Sequence, residues 1–324
     1  MQIYRHGATL PSTAWGAVAA LGTFDGFHRG HQAVIAHAGG IARTMDRPLA
    51  VLTTEPHPRL FFQPNQTPFL LTPFRVKAHH LQEFGVDILF VLPFDAQLAA
   101  TCAEAFIEDV LRRQLGLAHL VVGYDYRFGK GRAGNADLLR ARAPALGYGL
   151  DVLEPVAAKG AVFSSTLIRE KLRAGEPYAA AELLGHWWAI EGHVMKGDQR
   201  GRQIGFPTLN LAMTDYLRPR LGVYAVRVGM GGASYDGVAN IGRRPTFGES
   251  DVVLEAHLFE VQGDFYGRAV RVELVGFIRG EEKFTGREAL REQIAKDCAA
   301  ARRLLAEPAN AADRFPAPRL ADCL

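Results

Sequence analysis

Two histidines three residues apart, His28 and His31, stand in the glycine-punctuated stretch LGTFDGFHRGHQAVI, Leu21 to Ile35. Imidazoles donate hydrogen bonds, and glycines at 22, 26 and 30 let backbone amides come close to a ligand. A helix beginning near His31 would aim its unpaired N–H groups and positive dipole end at the same spot. Such a turn suits an anion, above all a phosphate chain whose charge redistributes during transfer. A plain capped turn of an α/β domain is the alternative. A second group lies in VMKGDQRGRQIGFPTLNL, Val194 to Leu211. There Gly197, Gly201 and Gly205 bracket Lys196, Arg200 and Arg202, as in a flap over phosphates. Thr208 and Asn210 are hard-oxygen groups able to serve a Mg²⁺ ion shared with phosphate oxygens. A strand bulge closed by Pro207 explains the same residues without chemistry.

Two further stretches complete the inventory. VVGYDYRFGKGRAGN, Val121 to Asn135, interleaves Tyr124, Tyr126 and Phe128 with Arg127, Lys130 and Arg132. The aromatics can stack on a planar ring and the cations can meet phosphate, where a solvated loop would seldom carry three aromatics. In FSSTLIREKLRAG, Phe163 to Gly175, Ser164 or Ser165 reads as a helix N-cap with Arg169 projecting from the first turns. Simple capping is the competing explanation.

The elements that position these residues follow from apolar spacing. Ala17–Leu21, Ala50–Thr53, Asp87–Leu92 and His119–Val122 read as short buried strands. Pro73–Phe84 and Ala103–Leu115 read as helices ending at Gly85 and Gly116. Strands alternating with helices predict a doubly wound parallel sheet. Its ligand crevice lies beyond the carboxyl ends of the strands, where loops 22–31, 54–58 and 123–134 would converge. From Ile190 onward the pattern changes to strands without helices: 190–194, 222–228, 234–241, 253–259 and 270–277. Glycine-rich turns between them predict a small antiparallel β-barrel, followed by one helix, Arg287–Leu305. The expected domains are therefore 1–185 and 186–308, with a disordered, proline-containing tail over 309–324.

Composition narrows the function classes. The 324 residues are 48% apolar and 22% charged, ordinary globular values. A net charge of +3 with no block of like charges argues against a nucleic-acid partner. Three unpaired cysteines fit a reducing cytoplasm and offer no metal knuckle. No apolar run approaches the ~20 residues of a membrane span, and the N-terminus lacks a signal peptide's apolar core.

In order, GTFDGFHRGH, TEPHP, VVGYDYRFGKGRAGN and SSTLIR resemble the adenylyltransferase half of the prokaryotic bifunctional riboflavin kinases/FMN adenylyltransferases, also called FAD synthetases. The flap segment resembles that family's kinase motif, with Leu209 in place of the usual Ala and so with added bulk beside Thr208 and Asn210. GVANIGRRPTF and LEAHLFEVQGDFYG, Gly237 to Phe247 and Leu254 to Gly267, match the same module. The resemblance implies a Rossmann-like nucleotidyltransferase domain followed by a riboflavin kinase barrel. It also implies ATP, riboflavin and FMN as substrates, with Mg²⁺. For adenylylation it assigns ATP to Gly22, Phe24, Asp25, His28, His31, Asp125, Ser164, Ser165, Thr166 and Arg169. It assigns the flavin to Phe62, Tyr126 and Phe128. For the kinase it assigns ATP to Lys196, Gly197, Arg202, Gly205, Thr208 and Asn210, the metal to the last two, and the catalytic carboxylate to Glu255. An adenylyltransferase for another acceptor and a flavin-binding regulator without turnover are the alternatives.

Overall fold

The computed structural model describes residues 1–5, 10–158, 161–196, 205–243, 252–261 and 263–323. The chain divides into two compact units, Met1–Gln66 with Phe74–Phe163 and Ala317–Leu324, and Thr67–Pro73 with Ser164–Pro316.

The first unit is built on β1 (Gln2–Arg5), β2 (Val18–Leu21), β3 (Leu49–Glu55), β4 (Ile88–Pro93), β5 (His119–Gly123) and β6 (Gly149–Leu153), all parallel in the order β1-β4-β3-β2-β5-β6. Side chains of a strand alternate between faces, so each strand feeds two cores. Ala19, Leu21, Ala50, Leu52 and Phe90 share one core with Ile107, Leu111 and Leu139. Val18, Ala20, Val51, Leu89 and Val121 share the other with Ile35, Ala38, Leu81 and Phe84. The helices are α1 (Arg29–Thr44), α2 (Pro58–Phe62), α3 (Phe74–Phe84), α4 (Ala96–Ala100), α5 (Ala103–Ala105, continued by π-helical Phe106–Gln114) and α6 (Ala136–Leu146). Helices on both faces of a parallel sheet make the doubly wound arrangement that the alternating pattern predicts. Succession reverses between β2 and β5, and the crevice of such a sheet lies at that reversal, beyond the strands' carboxyl ends. A small hairpin, β7 (Ala157–Ala158) with β8 (Ala161–Val162), follows.

The second unit holds α7 (Ser165–Ala174), α8 (Pro177–Leu184) and a six-stranded antiparallel sheet in the order β10-β13-β12-β11-β14-β9. Its strands are β9 (Ala189–His193), β10 (Leu209–Ala212), β11 (Gly222–Met230), β12 (Ala233–Arg243), β13 (Val252–Leu258) and β14 (Ala269–Arg279). An antiparallel bridge between Met195 and Asn210 joins the two edges and nearly closes the barrel. The long helix α9 (Arg287–Ala306) packs on β11, β12 and β14 through Ala301 and Leu305.

By backbone contacts the second unit takes in α7 and α8 from Ser164 onward, since α8 packs on β14 and Tyr178 and Ala181 pack with Trp187. A helix-like sequence does not reveal which sheet its apolar face will meet. The tail is ordered where a disordered one was expected: Asn310 is buried, and Phe315, 7% exposed, lies edge-on to Trp187 at 5.0 Å and to Tyr178 at 5.6 Å. One aromatic anchor suffices where proline content alone suggests freedom. Phe315→Ala is expected to destabilise the barrel unit by about 3 kcal/mol, the usual cost of emptying a buried Phe site. A urea midpoint unchanged within error would remove Phe315 from the core.

Candidate functional site

β2 occupies the middle of its sheet, and the chain leaves its carboxyl end directly into the His28/His31 loop. The loop turns sharply: Phe24 and Phe27 take φ of 49° and 45°, and Gly26 takes 88°. Their positive φ is held by burial, since both rings sit in the core below. His28 caps α1, its Nδ1 accepting the His31 backbone N–H at 3.4 Å. An accepting Nδ1 places the proton of the neutral ring on Nε2, which becomes a donor. The His28 and His31 rings stack at 3.6 Å, and Phe24 meets His31 edge-on at 5.2 Å. Side chains at two of the glycines would intrude here. A Cβ on Gly22 would come within 3.1 Å of the Phe24 ring, and one on Gly30 within 3.2 Å of the His28 ring.

Beneath the loop lies a charge that sequence inspection passed over. Lys77 of α3 is only 2% exposed, and Asp25 is buried as well. Burial pushes the Lys77 ammonium below its ordinary pKa, opposed by attraction to Asp25 and Glu55. Phe27 packs on the same face of α3, stacked on His80 and edge-on to Phe84. Asp25 is thus a buried carboxylate of the loop whose charge acts on Lys77. Only the helical spacing of Lys77, His80 and Phe84 hinted at this.

The neighbouring strand ends supply aromatics. After β3, His57 caps α2 by accepting the Arg59 N–H, and α2 carries Phe61 and Phe62. Phe62 is 65% exposed and, with Phe61, forms an edge-to-face trio with Phe94 beyond β4, at 5.2–5.7 Å. Sequence inspection selected Phe62 and missed its two companions, which meet it because β3 and β4 are adjacent.

The β5 loop carries the other two aromatics expected at the flavin. Phe128 is 7% exposed, stacked on Tyr126 and tilted against Phe106, and its backbone pairs with Gly134. Phe128 is thus a core side chain, as is the body of Tyr126, whose phenol burial pushes to a higher pKa. Of the three aromatics, Tyr124 is the exposed one. Asp125, Arg127, Lys130 and Arg132 are exposed as well.

Ser164, Ser165, Thr166 and Arg169 gather at the start of α7, in the second unit. Ser164 is the N-cap, its hydroxyl oxygen accepting the Leu167 N–H at 3.2 Å. Arg169 donates through Nε to the Phe69 carbonyl at 2.9 Å.

On the barrel, β10 and β13 pair so that Asn210 stands directly opposite Glu255, with Asn240 of β12 opposite Glu255 on its other side. Directly opposed residues share a face, here the outer one, since Leu209, Leu211, Leu254 and Ala256 fill the interior. Leu209 pairs with Ala256 in that interior and so adds its bulk away from Asn210, contrary to expectation. Asn210 Nδ2 donates to Thr208 O at 3.4 Å, and Met195 N–H donates to Asn210 O at 2.9 Å, which brings the following Lys196 to the same end of the sheet. Gly205 opens the approach to β10 with φ of 89°. Gly197 and Arg202, with Arg200, lie outside the described residues. Asn240 is an addition; a lone Asn within an apolar strand was its only signal.

Asn210 and Glu255 thus stand opposite one another on paired strands, and Thr208 immediately precedes β10. Among the described residues no helix is long and apolar enough to cross a membrane.

Residues 10–167 match the FAD synthetase family model and residues 184–305 the riboflavin kinase model. The bifunctional riboflavin kinase/FMN adenylyltransferase of Escherichia coli K12 is 40% identical over 87% of this chain and 90% of its own. The protein of the same description from Pseudomonas fluorescens is 39% identical over 96% of this chain and all of its own. A solved structure described as a macrolide-efflux protein from Streptococcus pneumoniae superposes with a TM-score of 0.82 at 28% identity, covering 93% of this chain and 99% of that one. Matched by both family models and about 40% identical to these relatives over most of its length, the chain belongs to the family of bifunctional riboflavin kinases/FMN adenylyltransferases.

Proposed function

We propose that the two ATP-dependent steps of this chain, riboflavin to FMN and FMN to FAD, are carried by separate residue sets. Glu255 with Asn210 and Thr208 serves the first, and His28, His31 and the α7 terminus the second. The observation that supports the kinase set best is the direct opposition of Asn210 and Glu255 across β10 and β13. Glu255 orients or takes the proton of the ribityl hydroxyl as its oxygen bonds to the γ-phosphorus of ATP and ADP leaves. Thr208 and Asn210 would hold Mg²⁺, which supplies charge neutralisation for the phosphates. Lys196 adds a cation.

In the second step a phosphate oxygen of FMN bonds to the α-phosphorus of ATP and pyrophosphate leaves. The α1 amides, His28 Nε2 and His31 stabilise the charge that moves toward the leaving group. Gly22 and Phe24 shape the turn; Asp125, Ser164, Ser165, Thr166 and Arg169 complete the nucleotide contacts. Phe62, with Phe61 and Phe94, takes the flavin ring. Neither step needs a covalent intermediate, so positioning and neutralisation carry the rate. The partners are these small molecules and not nucleic acid, and the setting is the cytoplasm.

If the sets act independently through released FMN, the full-length Glu255→Gln and His28→Ala variants, each unable to convert riboflavin to FAD, should together restore FAD formation when mixed. Chromatography of riboflavin, FMN and FAD reads the result. A mixture that accumulates FMN without FAD would mean that FMN must pass within one chain, refuting independence.

A further inference from the structure

Thr67–Pro73 lies between α2 and α3 in sequence yet belongs to the barrel unit. Three of its successive carbonyls each receive a different donor from that unit. Arg169 Nε reaches Phe69 O at 2.9 Å, Leu217 N–H reaches Leu70 O at 2.7 Å, and Trp188 Nε1 reaches Leu71 O at 2.9 Å. Leu70 also bridges to Tyr216, whose ring stands edge-on to Trp188 at 6.3 Å. Phe69 is 2% exposed, and Leu71, Thr72 and Trp188 are buried, so the middle of the segment is enclosed. The Arg169 guanidinium carbon lies 5.3 Å from the centre of the Phe69 ring.

We propose that Phe69 is a positioning residue for adenylyl transfer: its carbonyl and its ring together fix the direction in which Arg169 leaves α7. The inference rests on the reading of Arg169 as a phosphate ligand and adds what holds it. An arginine on a helix surface samples many rotamers, and each must be given up before the planar guanidinium can meet phosphate. Anchoring Nε to a buried carbonyl and laying the plane against a ring removes that freedom beforehand. The segment's own three-point attachment makes the carbonyl a fixed reference.

The test is a double-mutant cycle in the full-length protein, with FMN supplied and ATP varied. Phe69→Leu keeps apolar volume and the backbone carbonyl but removes the ring face. It should lower kcat/KM for ATP in adenylylation about 10-fold, as expected from slight misplacement of a charged group. Riboflavin phosphorylation should stay within about twofold in the same sample, showing that the barrel is folded. Phe69→Tyr, which retains the ring, should restore the loss. Arg169→Lys should cost more, and Phe69→Leu added to it should cost nothing further, since Phe69 acts only through Arg169. Additive losses, or equal losses of both activities, would make Phe69 a packing residue and overturn the proposal. An Arg169→Lys variant with normal adenylylation would instead overturn the reading of Arg169 itself.

Discussion

Replacing His28 with Ala is expected to lower FMN adenylylation by ~10²-fold or more, the span for losing a donor to developing charge, while riboflavin phosphorylation persists. His31→Ala should behave alike. The structure complicates the simple alanine experiment, because His28 also caps α1 and stacks on His31. Removing a cap costs about 1 kcal/mol by itself and could loosen the turn. His28→Asn separates the two roles, since Asn is a strong N-cap acceptor without an imidazole. If His28 supplies Nε2–H to the phosphates, the Asn variant should melt like the parent and still fail in adenylylation. Recovery of activity with Asn would reduce His28 to a cap. Equal loss of kinase and adenylyl activity would point to misfolding.

The periodic features were legible because they are local. Unbroken apolar runs in Val18–Leu21 and Leu49–Glu55 mark strands buried on both faces, helical spacing in α1 and α9 states which side of a helix is apolar, and these with the helix-free run of later strands sufficed for a parallel sheet and a barrel. Features that depend on a distant neighbour were not legible. Tyr126 and Phe128 alternate with charges just as an exposed stacking platform would, and only the Phe128–Gly134 pairing turns them inward. Phe61 and Phe94 are 33 positions apart and meet only because β3 and β4 are adjacent. Lys77 reads as a polar position on an amphipathic helix until Asp25 is found buried beside it. β10 escaped notice because Leu209–Ala212 is four residues long and merges with the motif before it. Motif residues were the most legible, since chemistry restricts residue type more tightly than packing does.

Glu255→Gln should lower riboflavin phosphorylation by ~10²-fold or more in kcat, the range of general-base assistance. The substitution keeps size and removes charge and basicity alone, so the β10–β13–β12 register around it should persist. Glu255 sits between two amides, Asn210 and Asn240, and a glutamine there meets neutral neighbours with no new repulsion. The KM for riboflavin should change little, since Gln can still accept a hydrogen bond. Supplied FMN should become FAD at the parent rate, because the residues assigned to adenylylation lie elsewhere in the chain. Steady-state kinetics on both half-reactions of one preparation decide the matter. Near-normal kinase turnover would remove Glu255 from the mechanism. A large rise in KM with kcat intact would make it a substrate-binding residue, its carboxylate holding the hydroxyl without taking the proton.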